Sequence, residues 1–194
     1  MGKGRLEAFS DGVIAIIITI MVLELKVPEG ADWADLRPLT PVFLSYVLSF
    51  VFLGIYWNNH HHLLHACRHV KGGVLWANTH LLFWLSLMPA ATAWMGESHF
   101  AAVPVALYGI VQLLAACAYF ILTRTLIAAD GHDSPLAAAV GGDYKGRVSV
   151  VIWAVAILVS SLTPLVACAL YVLVAVIWFV PDRRIERALD EAGR

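Results

Sequence analysis

Long apolar stretches alternate along the chain with short clusters of charge. Crossing a bilayer core about 30 Å thick takes about 20 helical residues, with a working range of about 17–25. Six stretches fit that length, at residues 6–25, 40–57, 74–95, 100–123, 144–162 and 164–180. Pro28 and Gly30 end the first, and Pro41 stands in the first turn of the second, where a missing N–H costs little. The third contains Asn78, His80 and Pro89, while the fourth carries no charge and has Pro104 in its opening turns. Only the turn at 160–164 separates the fifth from the sixth, which predicts a helical hairpin. The predicted fold class is an all-α membrane protein, with one domain of six transmembrane helices over residues 1–194. The longest connection, 124–143, reads as a loop containing Gly, Asp and Ala, and 181–194, with charges of alternating sign, as a short solvated helix.

Composition agrees with the pattern. Of the 194 residues, 60% are apolar and 14% charged, and the mean hydropathy is +0.77. A soluble domain carries roughly 45–50% apolar and about 25% charged residues, and a small one has relatively more surface to cover with polar groups. The excess excludes a soluble, disordered or collagenous chain. Three cysteines, Cys67, Cys117 and Cys168, lie in or beside apolar segments at no metal-ligand spacing and read as small buried hydrophobes. A cleavable leader is not expected, because Asp11 and Glu24 interrupt the first stretch and no A-x-A-like site follows.

A net charge of −1 excludes a basic nucleic-acid-coating protein, but the placement of the charges says more than their sum. With the N-terminus in the cytoplasm, Lys3, Arg5, Arg68, Lys71, Arg124, Lys145, Arg147, Arg183, Arg184, Arg187 and Arg194 fall inside. Lys26 and Arg37 are left outside beside Glu29, Asp32, Asp35 and Glu97. Cytoplasmic loops near membrane spans are enriched in Lys and Arg, so both termini are expected in the cytoplasm.

Ionisable residues inside a span are costly and are functional candidates by default. Asp11 is the clearest. At 100° per residue, Ile16, Ile20 and Leu23 fall within roughly 60° of one another, with Thr19 at the border and Phe9 and Gly12 continuing the stripe. Asp11 lies roughly 140° away, toward the neighbouring helices of its own subunit. Such a stripe serves lipid or helix contact, or a hydrophobic constriction when several copies meet at an axis and gate by dewetting. Periodicity does not choose between these. Thr19 is open in the same way: its hydroxyl can bond back to a carbonyl one turn earlier or replace part of an ion's hydration shell in a ring.

Arg5, Phe9, Ser10 and Asp11 form an R-x-x-x-F-S-D motif that runs into Gly12-Val13-Ile14-Ala15-Ile16, Thr19 and Val22-Leu23-Glu24-Leu25. Together with Tyr56-Trp57, His60-His61, Trp76, Asn78 and Leu87-Met88-Pro89, this resembles the endosomal and lysosomal potassium channel family named for transmembrane protein 175, in its single-repeat prokaryotic form. The resemblance implies a homotetrameric, potassium-selective leak channel in a prokaryotic plasma membrane, with the first helix of each subunit lining the pore. Neither the family nor this chain has a T-V-G-Y-G filter. By position, Ile16 is then the narrowest aliphatic ring, Ile20 and Leu23 are further layers toward the outer mouth, and Thr19 is the selectivity layer. Arg5, Phe9, Ser10 and Asp11 hold the pore helix, with Tyr56, Trp57, His60, His61 and Asn78 in support. The implied partners are further copies of the chain, the bilayer and potassium as the permeant ion, with no cofactor.

Five of the eight histidines, His60, His61, His62, His65 and His69, lie within ten residues. A haem or metal site could draw on them with His80, but they sit past the apolar stretch beside Arg68 and Lys71, at the cytoplasmic interface. His60 or His61 is instead expected to hydrogen-bond Asp11 or Ser10, since a partner offsets the cost of a buried acid. No nucleophile elbow, H-E-x-x-H, C-x-x-C or nucleotide loop is present, so no enzyme is expected. A proton-coupled transporter using Asp11 and the histidines as a relay is the competing reading.

Overall fold

The computed structural model describes residues 2–67, 69–131, 134, 136–137 and 144–179. The predicted tail helix at 181–194 and most of the loop that follows Gly131 lie outside these residues. All regular structure among the described residues is helical. α1 is Lys3–Leu23, and a 3-10 segment, Trp33–Leu39, leads into α2, Thr40–Ala66. α3 is Gly72–Ser86, α4 Met88–Glu97, α5 Ala102–Asp130, α6 Tyr144–Ser160 and α7 Pro164–Phe179. With α3 and α4 counted as one broken span, six helical spans result. Four stretches, Lys3–Leu23, Trp33–Ala66, Gly72–Glu97 and Ala102–Asp130, are long and apolar enough to cross a membrane, and Pro164–Phe179 is a shorter apolar helix.

Two helices run further than their apolar windows. α2 has 27 residues and α5 has 29, about 40 and 43 Å at 1.5 Å per residue, so both outreach a hydrocarbon core of about 30 Å. Loss of hydrophobicity marks the edge of the membrane, whereas a helix stops at a breaker. α5 continues until Gly131, whose φ of 98° suits glycine and whose N–H closes on the Ile127 carbonyl at 2.8 Å.

The break between α3 and α4 has a local cause. Pro89 has no N–H to offer, and its ring crowds the carbonyl four residues earlier, so the third span bends there. Leu87 bridges the halves, donating to Trp84 O and accepting from Ala91 N. α6 and α7 form the expected hairpin, closed by the N–H groups of Leu162 and Thr163, each 2.9 Å from Val159 O.

α1 packs on α2, α3 and α4, while α5 packs against α3, α4, α6 and α7. α1 therefore stands at one side of the bundle and the hairpin at the other. The core between them holds Ile14, Met21, Leu53, Leu64, Leu81, Met88, Tyr108 and Tyr171, all essentially inaccessible. One end of the bundle brings together the start of α1 and the end of α2, where Lys3 Nζ donates to His65 O at 2.7 Å. The end of α5 joins them there, with Asp130 Oδ1 accepting from the His69 backbone N–H at 2.8 Å. At the opposite end Lys26 pairs with Glu97 at 2.8 Å, which pushes the Lys26 pKa up.

Candidate pore helix and its support

α1 has two unlike faces. Leu6, Ser10, Ile14, Ile17 and Met21, spaced by four, four, three and four residues, are buried against the neighbouring helices. Away from them, Phe9, Ile16, Ile20 and Leu23 are exposed, Ile16 at 59% and Leu23 at 80%. Gly12 and Thr19 are exposed as well. The subunit thus leaves uncovered the same aliphatic stripe that the 100° period picks out. Arg5, also exposed, lies at the stripe's lower end. The Thr19 hydroxyl donates back to Ile16 O at 2.9 Å. Its oxygen lone pairs are not used by that bond.

Asp11 sits on the flank of α1 between the two faces, half-buried. Its Oδ1 accepts the indole N–H of Trp57 at 3.0 Å. This corrects the expectation of a histidine partner. Trp57 is nearly a turn before His60 on α2, and its long side chain reaches the flank of α1 on which the carboxylate lies. His61 stacks on Trp57 at 6.2 Å between ring centroids, and His65 stacks on His61 at 6.1 Å. Among the described residues, no group of three or more His, Cys, Asp or Glu side chains could hold a metal ion.

His60 reaches α1 through an intermediary. The Ser10 hydroxyl gives its single proton to Leu6 O at 2.9 Å, so its oxygen is left to accept from Asn78 Nδ2 at 2.9 Å. The Asn78 carbonyl oxygen is then left to accept from His60 Nε2 at 2.6 Å. All three side chains are buried, and they link α1, α3 and α2. Buried polar groups are stable only when paired, so the triad fixes both the height and the rotation of α1. Tyr56 points away from α1, its hydroxyl 3.5 Å from Gln112 O of α5.

A second buried polar cluster was not among the expected site residues. Ser49 Oγ lies 2.7 Å from Thr92 Oγ1 and donates to the Tyr108 hydroxyl at 3.1 Å, which also accepts from Gln112 Nε2 at 3.1 Å. It ties α2 and α4 to α5. The available signal was Gln112, a strongly polar residue inside a charge-free span.

Residues 5–89, which hold all but the first two residues of α1, the Trp57–Asp11 bond and the triad, match the family described as endosomal/lysosomal potassium channel TMEM175. A potassium channel of Chryseobacterium sp. (strain P1-3) is 56% identical over 191 residues, 98% of this chain and 100% of that one. The chain belongs to the TMEM175 family. The crystal structure of a lysosomal potassium-selective channel TMEM175 homolog from Chamaesiphon minutus superposes with a TM-score of 0.81 at 26% identity, covering 93% of this chain and 97% of that one. The human endosomal/lysosomal proton channel TMEM175 is 34% identical over 103 residues, 47% of this chain and 20% of that longer protein. Members of the TMEM175 family are ion channels rather than enzymes, and the all-helical bundle described above is their fold.

Proposed function

We propose that this chain is a potassium-selective, leak-type channel that assembles as a homotetramer, with the exposed face of α1 from each subunit lining a central pathway. The observation that carries this reading is the aliphatic stripe of Ile16, Ile20 and Leu23, left uncovered by a subunit that buries the opposite face of the same helix. Kinship with a potassium channel over 98% of the chain supports the choice of ion. Ile16 forms the narrowest ring, Ile20 and Leu23 further rings, and rings this apolar gate by expelling water. Thr19 supplies the hydroxyl layer, whose lone pairs replace part of a cation's hydration. Arg5, Phe9, Ser10 and Asp11, with Trp57, His60, His61 and Asn78, hold the pore helix in place, and no cofactor takes part.

The orientation follows from charge. Among the described residues Lys3, Arg5, Lys71, Arg124, Lys145 and Arg147 belong to the end where α1 begins, against Lys26 and Arg37 at the other. This supports a multi-pass plasma-membrane protein with the N-terminus in the cytoplasm. Reconstitution into liposomes and measurement of potassium and sodium flux tests the function: potassium flux well above sodium flux is expected, and equal flux of both, or none, contradicts it.

Proton passage is the second reading, favoured by the name of the human relative. A proton relay from Asp11 to His60 is not supported by the geometry, because Asp11 is bonded to an indole N–H that only donates and His60 to Asn78. A pH-sensitive dye in the same liposomes separates the two ions.

A further inference from the structure

A cavity of about 610 Å³ opens between α2, α5, α6 and α7, with no wall from α1, α3 or α4. That volume falls within the range of about 300–1,000 Å³ usual for small-molecule sites. Its body is apolar and aromatic, with Phe52, Phe120, Trp153 and Trp178 among its walls. Arg124 and Arg147, both exposed, also line it. Arg124 stands 22 residues into the register of α5 from Ala102, about 33 Å along the helix, and Arg147 is in the first turn of α6. Both therefore lie at the depth where a hydrocarbon core of about 30 Å gives way to headgroups.

Among the described residues, neither arginine is paired with a carboxylate. The ion pairs among the described residues are Lys26 with Glu97 and His69 with Asp130. Arg124 lies over the Phe120 ring at 5.5 Å, which holds its guanidinium beside the cavity wall. Two guanidinium groups with no carboxylate partner among the described residues, beside an apolar slot at headgroup depth, match one kind of occupant in both charge and polarity. We propose that this cavity binds an anionic phospholipid, with an acyl chain between α5, α6 and α7 and the phosphate accepting hydrogen bonds from Arg124 and Arg147. Guanidinium suits phosphate because its planar fork donates two parallel bonds to two oxygens. A zwitterionic headgroup would bring its own cation against the same two arginines.

The test is native mass spectrometry of the full chain in mild detergent, titrated with phosphatidylglycerol, phosphatidylcholine or inorganic phosphate. Phosphatidylglycerol is expected to bind several-fold more tightly than phosphatidylcholine, because its headgroup brings no cation against the two guanidinium groups. The R124Q/R147Q double variant, altered only at exposed positions, should lose that preference while still taking both lipids. Ala116→Phe, which fills the slot, should lose both lipids with helical content retained. Equal affinity for the two lipids, or a double variant that keeps the wild-type preference, overturns the proposal. So does displacement of the lipid by millimolar inorganic phosphate, which would make this a site for a free anion. Absence of any bound lipid, as expected if the C-terminal residues or a neighbouring copy fills the slot, overturns it as well.

Discussion

The indole N–H of Trp57 donates to Asp11 Oδ1 at 3.0 Å, so the acid of the R-x-x-x-F-S-D motif is held by α2 of its own subunit and faces away from the aliphatic stripe. Replacing Trp57 with Phe keeps most of the ring and removes the donor. A hydrogen bond to a charged group contributes about 1.5–3 kcal/mol, and the lower end applies to this half-exposed pair. Trp57→Phe should therefore lower the thermal unfolding midpoint of the purified protein, and Trp57→Phe combined with Asp11→Asn should lower it less, because the stranded charge is gone. A midpoint unchanged in Trp57→Phe counts against the bond.

The triad of Ser10, Asn78 and His60 makes a stronger demand on stability. Asn78→Leu leaves the His60 N–H and one Ser10 lone pair without partners inside the bundle, each unmade bond costing about 1–3 kcal/mol. Ser10→Ala strands only Asn78 Nδ2 and should cost less. Because the three act as one unit, the double variant should be hardly worse than Asn78→Leu alone. Fluorescence-detected size exclusion after graded heating checks the order, and additive losses would show that the residues act separately.

Gly109 tests how closely α5 approaches the hairpin. A Cβ there would collide with the Tyr171 hydroxyl and come within 2.8 Å of Ile157 Cγ1. Tyr171 is held by its bond to Val105 O at 2.9 Å. Gly109→Ala is expected to destabilise by about 1–3 kcal/mol through overpacking, and Gly109→Ala with Tyr171→Phe should recover part of that. The same heating assay decides it; a neutral Gly109→Ala contradicts the close approach.

Much of this was legible in the sequence, for identifiable reasons. The 3.6-residue period placed Ile16, Ile20 and Leu23 on one face and Asp11 off it, because α1 has no proline and keeps regular geometry from end to end. The proline at 89 and the short turn at 160–164 are local signals, and both act where they stand. What a sequence does not carry is which side chain of the next helix reaches across. Trp57 rather than His60 or His61 meets Asp11, and Asn78 stands between His60 and Ser10, because those choices depend on helix rotation and side-chain length. The ends of α2 and α5 were also set too early, since apolar windows report membrane thickness and not helix length.

Within the pore reading, Ile16→Asn introduces a polar ring at the narrowest level. It should raise potassium flux several-fold by wetting the constriction and relax the preference over sodium. Thr19→Ala should keep conduction and lower the potassium preference. Liposome flux assays in both salts check the pair; if neither variant changes flux or selectivity, α1 does not line the pathway.

Whether the exposed face of α1 borders the path of the ions is read by cysteine accessibility. In a background lacking Cys67, Cys117 and Cys168, Leu23→Cys and Ile20→Cys are placed on the stripe and Ile18→Cys off it. A water-soluble methanethiosulfonate reagent is then added during potassium flux. Modification should block flux through the Leu23→Cys and Ile20→Cys proteins and leave Ile18→Cys conducting. Flux through modified Leu23→Cys and Ile20→Cys that equals the unmodified rate would contradict a path along that face.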